Sequence, residues 1–468
     1  MNKLSLNFLG VFFLLISILS FINIIYSYYF NLYLNIDSYL YTLIISLLLG
    51  IVFFIKKKNE TKITNNEKIL TMVVGYIAIP TIISIPFYFS INNISLLDSY
   101  FESVSGFTST GFTIFENIKH IDKSLILWRS TSQWIGGIYF LFSIVLLIDI
   151  FDNSLKKSLT NFISFNTSEI LKQSFKILIL YISLTFFLFI ILNLIDLRVF
   201  DALNLSMTLI SSGGFLPANN IEAILNSEIK QITFSILMLI SFFSLFLTYN
   251  LIFIKNKSLN FFTEDFYLLL YLSFIIFIFF IFFNYDSNFK VIFFSIISSI
   301  SNIGFSLSHA ENNLHFILLI LVIIGGSFFS TSSGVRFLKI YSLIKFSINE
   351  ILSYSKPKHV YTNKFIFSDS NIDQNDINKY FLSILVFILS LFLISSLLSL
   401  SNINFEDSFK LGILTLMNTV NSSMYGITDI NFANLPTETK FILIAFMIIG
   451  RVELITLLII AKKFLFKN

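Results

Sequence analysis

Between two long apolar segments the chain reads Thr108-Ser109-Thr110-Gly111-Phe112. Short polar stretches interrupt apolar sequence at three later places, and two of them keep the Gly-Phe pair: Gly213-Gly214-Phe215, Ile303-Gly304-Phe305 and, in altered form, Val420-Asn421-Ser422. Since the stretches recur at intervals of roughly a hundred residues, the spacing predicts one unit repeated four times. A fourfold repeat of helix, polar re-entrant loop and helix is typical of a cation pore.

The composition is that of a membrane protein. Of the 468 residues 56% are hydrophobic and only 12% are charged, against about 25% charged residues in ordinary soluble domains. Runs of about 20 apolar residues predict transmembrane helices, because a helix satisfies its own backbone polar groups inside the bilayer. The absence of Cys excludes disulfides and thiolate metal sites, and the four His residues have no metal-ligand spacing.

The sequence therefore predicts an all-α polytopic membrane protein, with four helix–pore-loop–helix repeats around a central pore and two N-terminal transmembrane helices. The N-terminal pair occupies residues 1–58, and the pore repeats occupy 59–158, 159–258, 259–352 and 379–468. The expected half-spans are 96–115, 202–217, 291–307 and 408–425, and the second spans are 125–150, 232–254, 316–346 and 441–464. The polar segment 353–378 is either a solvated cytoplasmic linker or a docking surface for a soluble partner.

The distribution of basic residues predicts the orientation in the membrane. With the N-terminus inside, 22 of the 31 Lys and Arg residues fall on the cytoplasmic side and 8 on the outer side, which leaves Arg451 within the last span. Cytoplasmic loops carry an excess of Lys and Arg. Both termini are therefore expected in the cytoplasm, and the four polar loops are expected to enter from outside.

Each half-span is expected to hold a short helix whose carboxyl end points to the middle of the membrane. Such an end carries roughly −0.5 charge, so four of them add to about −2 and attract a cation without any carboxylate. The extended stretch that follows must present carbonyl oxygens in place of the hydration shell of an ion. Glycine suits this stretch, because its missing Cβ allows unusual backbone angles and a close approach to the ion.

The second span of the third repeat contains a stretch that disfavours a continuous helix. Gly325, Gly326 and Gly334 lie within it together with five Ser and Thr residues, and each glycine costs about 1 kcal/mol in a helix. A broken helix with an intramembrane loop is expected, and close helix packing by small residues is the alternative. Arg451 is expected to face a cavity, or else to pair with Glu453 or with carbonyl groups.

Three further motifs complete a resemblance to a known family. They are Trp128-Arg129-Ser130 followed by Gln133-Trp134-Ile135-Gly136-Gly137, then Ser211-Ser212-Gly213-Gly214-Phe215, and Gly450-Arg451-Val452-Glu453. The chain resembles the TrkH/KtrB branch of the superfamily of K⁺ transporters, which also includes the plant HKT proteins. The two additional N-terminal spans are similar to the TrkH arrangement, and the resemblance covers essentially the whole chain.

The resemblance implies a dimeric K⁺ uptake pore of the bacterial inner membrane, gated by a cytoplasmic nucleotide-binding subunit of the TrkA/KtrA type. K⁺ is the implied transported ion, with no organic cofactor on this chain, and the implied surroundings are membrane lipid and not nucleic acid. By position, the implied K⁺-binding filter comprises Thr110, Gly111, Ser212, Gly213, Ile303, Gly304, Val420 and Asn421. The implied gate comprises Gly325, Gly326, Gly334 and Arg451.

Two alternatives remain open at this stage. Asn421 stands where the fourth loop of the family usually has Gly, so a Na⁺-permeable or weakly selective cation transporter is the first alternative. An ion-coupled secondary transporter is the second, since broken helices and repeats also occur there, although usually as two inverted halves. The sequence shows no nucleophile–base or metal constellation and therefore does not predict an enzyme.

Overall fold

The structure is a computed structural model that describes residues 6–55, 65–151, 170–248, 262–283, 289–307, 314–354, 374–427 and 430–452. Within these ranges the regular structure is almost entirely helical, apart from two strands of two residues each. Seven of the described helices are long and apolar enough to cross a membrane. The expected all-α polytopic membrane protein is confirmed.

The described helices follow the predicted order, and most of their ends lie within a few residues of the predicted ones. They are α1 (Leu6–Tyr29), α2 (Ile36–Ile55), α3 (Asn65–Ser90), α4 (Leu96–Phe107), α5 (Lys123–Phe151), α6 (Ile170–Leu194), α7 (Val199–Ser211), α8 (Glu228–Phe242), α9 (Phe262–Phe283), α10 (Phe289–Ile300), α11 (His315–Ile323), α12 (Phe337–Ser353), α13 (Gln374–Leu400), α14 (Phe405–Leu416) and α15 (Thr437–Arg451). The two strands are β1 (Ile324–Gly325) and β2 (Val335–Arg336), which pair in parallel.

Helices α4, α7, α10 and α14 are each too short to cross a membrane. Helices α4, α10 and α14 have 12 residues and α7 has 13, which at 1.5 Å per residue is about 18–20 Å against a hydrocarbon core of about 30 Å. Ser95 caps the first of them, because its Oγ accepts a hydrogen bond from the amide of Asp98 at 3.0 Å. The short helices coincide with the four predicted half-spans.

The helices close into a ring. Each of α5, α8 and α11 packs against the short helix of the following unit, which is α7, α10 and α14 respectively, and α15 packs against α4. The last unit therefore returns to the first. The N-terminal hairpin of α1 and α2 lies outside this ring, against α3 and α5.

Glycines allow two of these long helices to approach the ends of the short helices. A Cβ atom placed on Gly136 of α5 would collide with the carbonyl oxygen of Phe107, and one placed on Gly450 of α15 would collide with that of Leu416. Phe107 and Leu416 are the last residues of α4 and α14. The same contact in the first and last units fixes how deeply these two short helices sit.

The structure corrects one predicted helix and contains the expected interruption of another. The continuous helix predicted over 232–254 is wrong, since α8 ends at Phe242 and helical backbone resumes only at 245–248. The backbone groups that the break leaves without helical partners bond to residues far along the chain. Ser244 N donates to Asp265 Oδ1 at 3.1 Å, and Phe242 O accepts from Ser327 N at 3.0 Å. The span predicted over 316–346 is broken between α11 and α12, at the stretch rich in Gly and Ser. Residues 355–373 of the predicted linker lie outside the described residues.

Candidate functional site

The four short helices end in the same backbone motif. One or two residues beyond each terminus the chain enters the left-handed region, at Ser109 (φ 60°), Ser212 (54°), Asn302 (58°) and Asn418 (46°). The next amide then donates to the carbonyl five residues earlier: Thr110 N to Ser105 O at 2.9 Å, Gly213 N to Thr208 O at 2.8 Å, Ile303 N to Ser298 O at 3.1 Å and Thr419 N to Leu414 O at 2.9 Å. The four loops therefore follow one path, and the hydrogen bonds set their register.

This register differs by one residue from the register expected from sequence in two of the loops. Gly111 and Gly304 occupy the position after the returning amide, as expected, but the residues level with them are Gly214 and Val420. The spacing of the polar stretches in the sequence instead predicts Gly213 and Asn421 at this level. Loop 2 contains two adjacent glycines and loop 4 contains none at this point, so matching glycines could not fix the register of either loop.

All four loops border one cavity of about 340 Å³. Of the eight predicted filter residues, Gly111, Gly304, Val420 and Asn421 line it. The other four are fully buried beside it, namely Thr110, Ser212, Gly213 and Ile303. Gly214, which was not predicted, is also part of the lining. The structure thus brings residues from units about a hundred positions apart to one place.

A belt of side-chain hydrogen bonds joins the loops behind the cavity. Ser212 Oγ donates to Ser301 O at 2.5 Å and links loop 2 to loop 3. Asn302 Nδ2 donates to Thr419 Oγ1 at 3.3 Å and links loop 3 to loop 4. Asn418 Nδ2 donates to Thr110 Oγ1 at 3.0 Å and links loop 4 back to loop 1. Three of the four left-handed residues, Ser212, Asn302 and Asn418, therefore take part in this belt.

The seam between loops 1 and 2 is built differently. The fourth left-handed residue, Ser109, is buried, and its hydroxyl has no hydrogen-bond partner among the described residues. Instead, the side-chain oxygen of Gln133 on α5, in its better amide orientation, accepts from the amides of Gly214 and Phe215, both at 3.0 Å. Gln133 therefore holds loop 2 in place, which gives a physical role to a residue of the Gln-Trp-Ile-Gly-Gly motif.

Basic side chains of α5 and α15 are paired with carboxylates of α4. Arg129 and Glu102 form a buried ion pair with Nε and Oε1 2.8 Å apart, and Arg129 also lies 4.1 Å from the centroid of the Phe215 ring. Lys440 Nζ lies 2.6 Å from Asp98 Oδ1.

A further ion pair, whose carboxylate is exposed, lies at the start of α14. Lys410 Nζ lies 2.6 Å from Glu406 Oε1 and donates to Gly426 O at 2.8 Å. The ammonium holds the pKa of the Glu406 carboxyl below its usual value, through its hydrogen bond and its charge. Pairing of this kind offsets the positive charge of these basic side chains locally.

On the opposite side of the loops, residues 326–334 form a buried segment held on several sides. Thr331 Oγ1 donates at 2.7 Å to the carbonyl of Ile210 in the last turn of α7. Glu264 of α9 accepts from Ser327 Oγ at 2.9 Å and from Phe328 N at 3.0 Å. The segment, which we call the inner loop, thus lies next to the carboxyl end of a short helix.

Two buried arginines secure the inner loop. Arg336 Nη1 donates to the carbonyls of Ser327 and Ser332, each at 3.0 Å. Arg451 donates to Ser333 Oγ and, at 3.1 Å, to Thr331 O. Both guanidinium groups lie over the ring of Phe140, at 5.0 Å for Arg336 and 4.0 Å for Arg451. All four predicted gate residues therefore meet at this loop: Gly326 and Gly334 are part of it, Gly325 adjoins it, and Arg451 binds it. Glu453 lies outside the described residues.

Comparisons with known proteins show what the chain is related to. The family profile of TrkH, described as a cation transport protein, matches residues 283–467. An uncharacterized cation transporter of Methanocaldococcus jannaschii is 28% identical over 455 residues, which are 94% of this chain and 91% of that protein. The Trk system potassium uptake protein TrkH of Salmonella typhimurium is 24% identical over 444 residues, 90% of each chain. Over nearly its whole length the chain is similar to TrkH proteins.

The fold is also that of a solved TrkH structure. The crystal structure of the potassium transporter TrkH from Vibrio parahaemolyticus matches with a TM-score of 0.82 and 22% identity, over 97% of each chain. The matching family profile describes a cation transport protein and not an enzyme. With seven described helices that are long and apolar enough to cross a membrane, this chain is a multi-pass membrane protein.

Sequence reasoning missed several residues of this TrkH site. The sequence aligns Val420 with Thr110, whereas the structure places Val420 level with Gly111. The sequence also assigns Gln133, Asn302 and Asn418 no part in holding the loops. One signal was available, because a polar residue with left-handed tolerance directly after a short apolar helix indicates a turn. In the described part of the chain no group of three or more His, Cys, Asp and Glu side chains could hold a metal ion.

Proposed function

We propose that this chain is a channel-like K⁺ uptake protein of the Trk type. The observation that carries the proposal is the convergence of four short helices, each ended by the same left-handed turn, on one cavity. The names of its relatives, the Trk system potassium uptake proteins, support K⁺ as the ion.

The proposed filter is made of backbone. It comprises Thr110, Gly111, Ser212, Gly213, Ile303, Gly304, Val420 and Asn421, to which the register adds Gly214 and Thr419. Four helix carboxyl ends near one point contribute the equivalent of about −2 charges, which attracts a cation. Loop carbonyls then replace part of the hydration shell of the ion.

The proposed gate is the inner loop with Gly325, Gly326, Gly334 and Arg451. Support comes from its position, because Thr331 binds the last turn of α7 while Arg451 binds Thr331. In this arrangement the loop lies across the inner side of the filter and is closed. Opening requires the hydrogen bonds from Arg451 to be lost, and the glycines provide the backbone freedom for that movement.

The surroundings are proposed from the family and from the charge distribution. The chain is placed in the plasma membrane, the inner membrane of a bacterium, as a homodimer with both termini in the cytoplasm. A nucleotide-binding subunit of the TrkA/KtrA type is the proposed partner on the cytoplasmic side. The pore repeats keep the boundaries derived from the sequence, with the linker at 353–378.

The test is uptake by a bacterium that lacks its own K⁺ uptake systems. Expression of the chain, with and without a TrkA-type subunit, is expected to restore growth at low K⁺ and to carry Rb⁺, a K⁺ tracer. The proposal is contradicted if the chain reaches the membrane but carries no Rb⁺ in cells, and if the purified chain carries none in liposomes, in each case with or without the subunit.

A further inference from the structure

The side chain of Val420 occupies space that is empty at the equivalent points of the other loops. A Cβ atom placed on Gly214 would lie 2.5 Å from Cβ and 3.1 Å from Cγ2 of Val420. One placed on Gly304 would lie 2.9 Å from Cγ1 and 2.8 Å from the carbonyl oxygen of Val420. The isopropyl group therefore lies against loops 2 and 3, in the wall of the cavity that all four loops share.

The backbone of loop 4 also differs from that of loops 1 and 3. Gly111 and Gly304 have φ of 83° and 85°, whereas Gly214 and Val420 lie outside the left-handed region. The amides of Gly111 and Gly304 both turn back to the carbonyl six residues earlier, at 3.4 and 3.2 Å. A β-branched residue adopts positive φ only at high cost, so Val420 cannot copy this arrangement. The loops thus match in two pairs at this level, and not as four equal parts.

We propose that Val420 is a specificity-determining residue of the pore, which lowers its discrimination between K⁺ and Na⁺. This inference rests on the proposed function as a cation pore. Selection for K⁺ requires protein oxygens to take over the hydration shell of the ion, either in a cage of the right size or in sufficient number. The isopropyl group of Val420 adds no oxygen, and its bulk between loops 2 and 3 separates a cation from neighbouring backbone carbonyls. A cation at this level keeps water on that side, and water accepts Na⁺ and K⁺ alike.

The test compares Val420→Gly and Val420→Ala with the unaltered chain in liposomes, under opposed K⁺ and Na⁺ gradients, with Rb⁺ and Na⁺ flux measured in parallel. One carbonyl contact is worth about 1 kcal/mol net, which corresponds to about a fivefold change in a ratio. Val420→Gly is expected to raise the K⁺/Na⁺ permeability ratio about fivefold, and Val420→Ala by a smaller factor. Val199→Ala, which shortens an exposed valine on α7, is the control and should leave the ratio unchanged.

Three outcomes separate the two proposals. An unaltered chain that conducts, with the same permeability ratio in both Val420 variants, overturns the role of Val420 and leaves the pore in place. A chain that conducts neither Rb⁺ nor Na⁺ overturns the proposed function together with this inference. If Val420→Gly is not recovered from the membrane, the Val420→Ala ratio decides, and a ratio that does not rise refutes the inference.

Discussion

Replacing Arg451 with Gln tests whether the inner loop is a gate. The guanidinium donates to Ser333 Oγ and to Thr331 O at 3.1 Å, and it lies 4.0 Å from the ring centroid of Phe140. Its side chain is 2% exposed, so water does not replace these contacts. Glutamine is shorter and neutral, and it can keep at most part of this set.

The size of the effect follows from the contacts. A hydrogen bond to a charged group is worth about 1.5–3 kcal/mol, and a desolvated cation–π contact about 2 kcal/mol. If Gln retains one hydrogen bond and the open loop recovers some contacts, the closed state loses about 3 kcal/mol relative to the open state. That corresponds to roughly a hundredfold shift toward opening.

The assay is Rb⁺ flux through the purified chain in liposomes, without a regulatory subunit. Arg451→Gln is expected to raise the flux by up to about a hundredfold. The rise is smaller if a large fraction of the unaltered molecules already has an open inner loop. Ser333→Ala removes a single partner of Arg451 and should give a smaller rise, of about tenfold or less. Arg198→Gln is the control, because it deletes an arginine that is 81% exposed and paired only locally with Asp201.

Two results would contradict a closed gate that Arg451 holds. If Arg451→Gln is incorporated at the same density as the unaltered chain and its flux is equal or lower, then Arg451 does not hold a closed gate. A rise of the same size in Arg198→Gln would likewise show that loss of charge, and not release of the loop, causes the effect.

Two further substitutions probe the filter and its support. Gly111→Ala should abolish Rb⁺ flux in a chain that still reaches the membrane, because the φ of Gly111 is 83° and the new Cβ would lie 2.5 Å from Cα of Gly214. Gly412→Ala is the control and should conduct, because the atom nearest to its new Cβ is a side-chain carbon at 3.0 Å. Glu102→Gln leaves Arg129 buried beside a neutral group and should cost about 3–5 kcal/mol, seen as a lower thermal unfolding midpoint in detergent, whereas the exposed Glu406→Gln should change it little.

The sequence was sufficient for the helices because their signals are local. Apolar runs of about 20 residues and the recurring polar stretches located the long and short helices to within a few residues. The break between α8 and residues 245–248 was missed because no Gly or Pro marks it. Its cause lies elsewhere in the chain, in the bonds from Ser244 to Asp265 and from Ser327 to Phe242.

The site was predictable only in part, because its register depends on contacts between units. Gly111 and Gly304 could be located from the Gly-Phe pair, which both loops share. In loop 4 the relevant glycine is absent, and only the hydrogen bond from Thr419 N to Leu414 O shows which residue takes its place. The belt made by Ser212, Asn302 and Asn418 joins residues of different units, and sequence patterns carry no information about such pairs.

At one position the four loops carry varied residues, and at the next position three of them carry glycine. The geometry of the loops accounts for this difference. Directly after the left-handed turn the four loops have Thr110, Gly213, Ile303 and Thr419, which share little chemistry. These residues are buried behind the cavity and are alike only in the amide that returns to the short helix. One position further along, the absence of a Cβ is itself the requirement, because the added atom would meet the neighbouring loop at 2.5–2.8 Å. A side chain at that position therefore changes the cavity directly, and Val420 is where this chain has one.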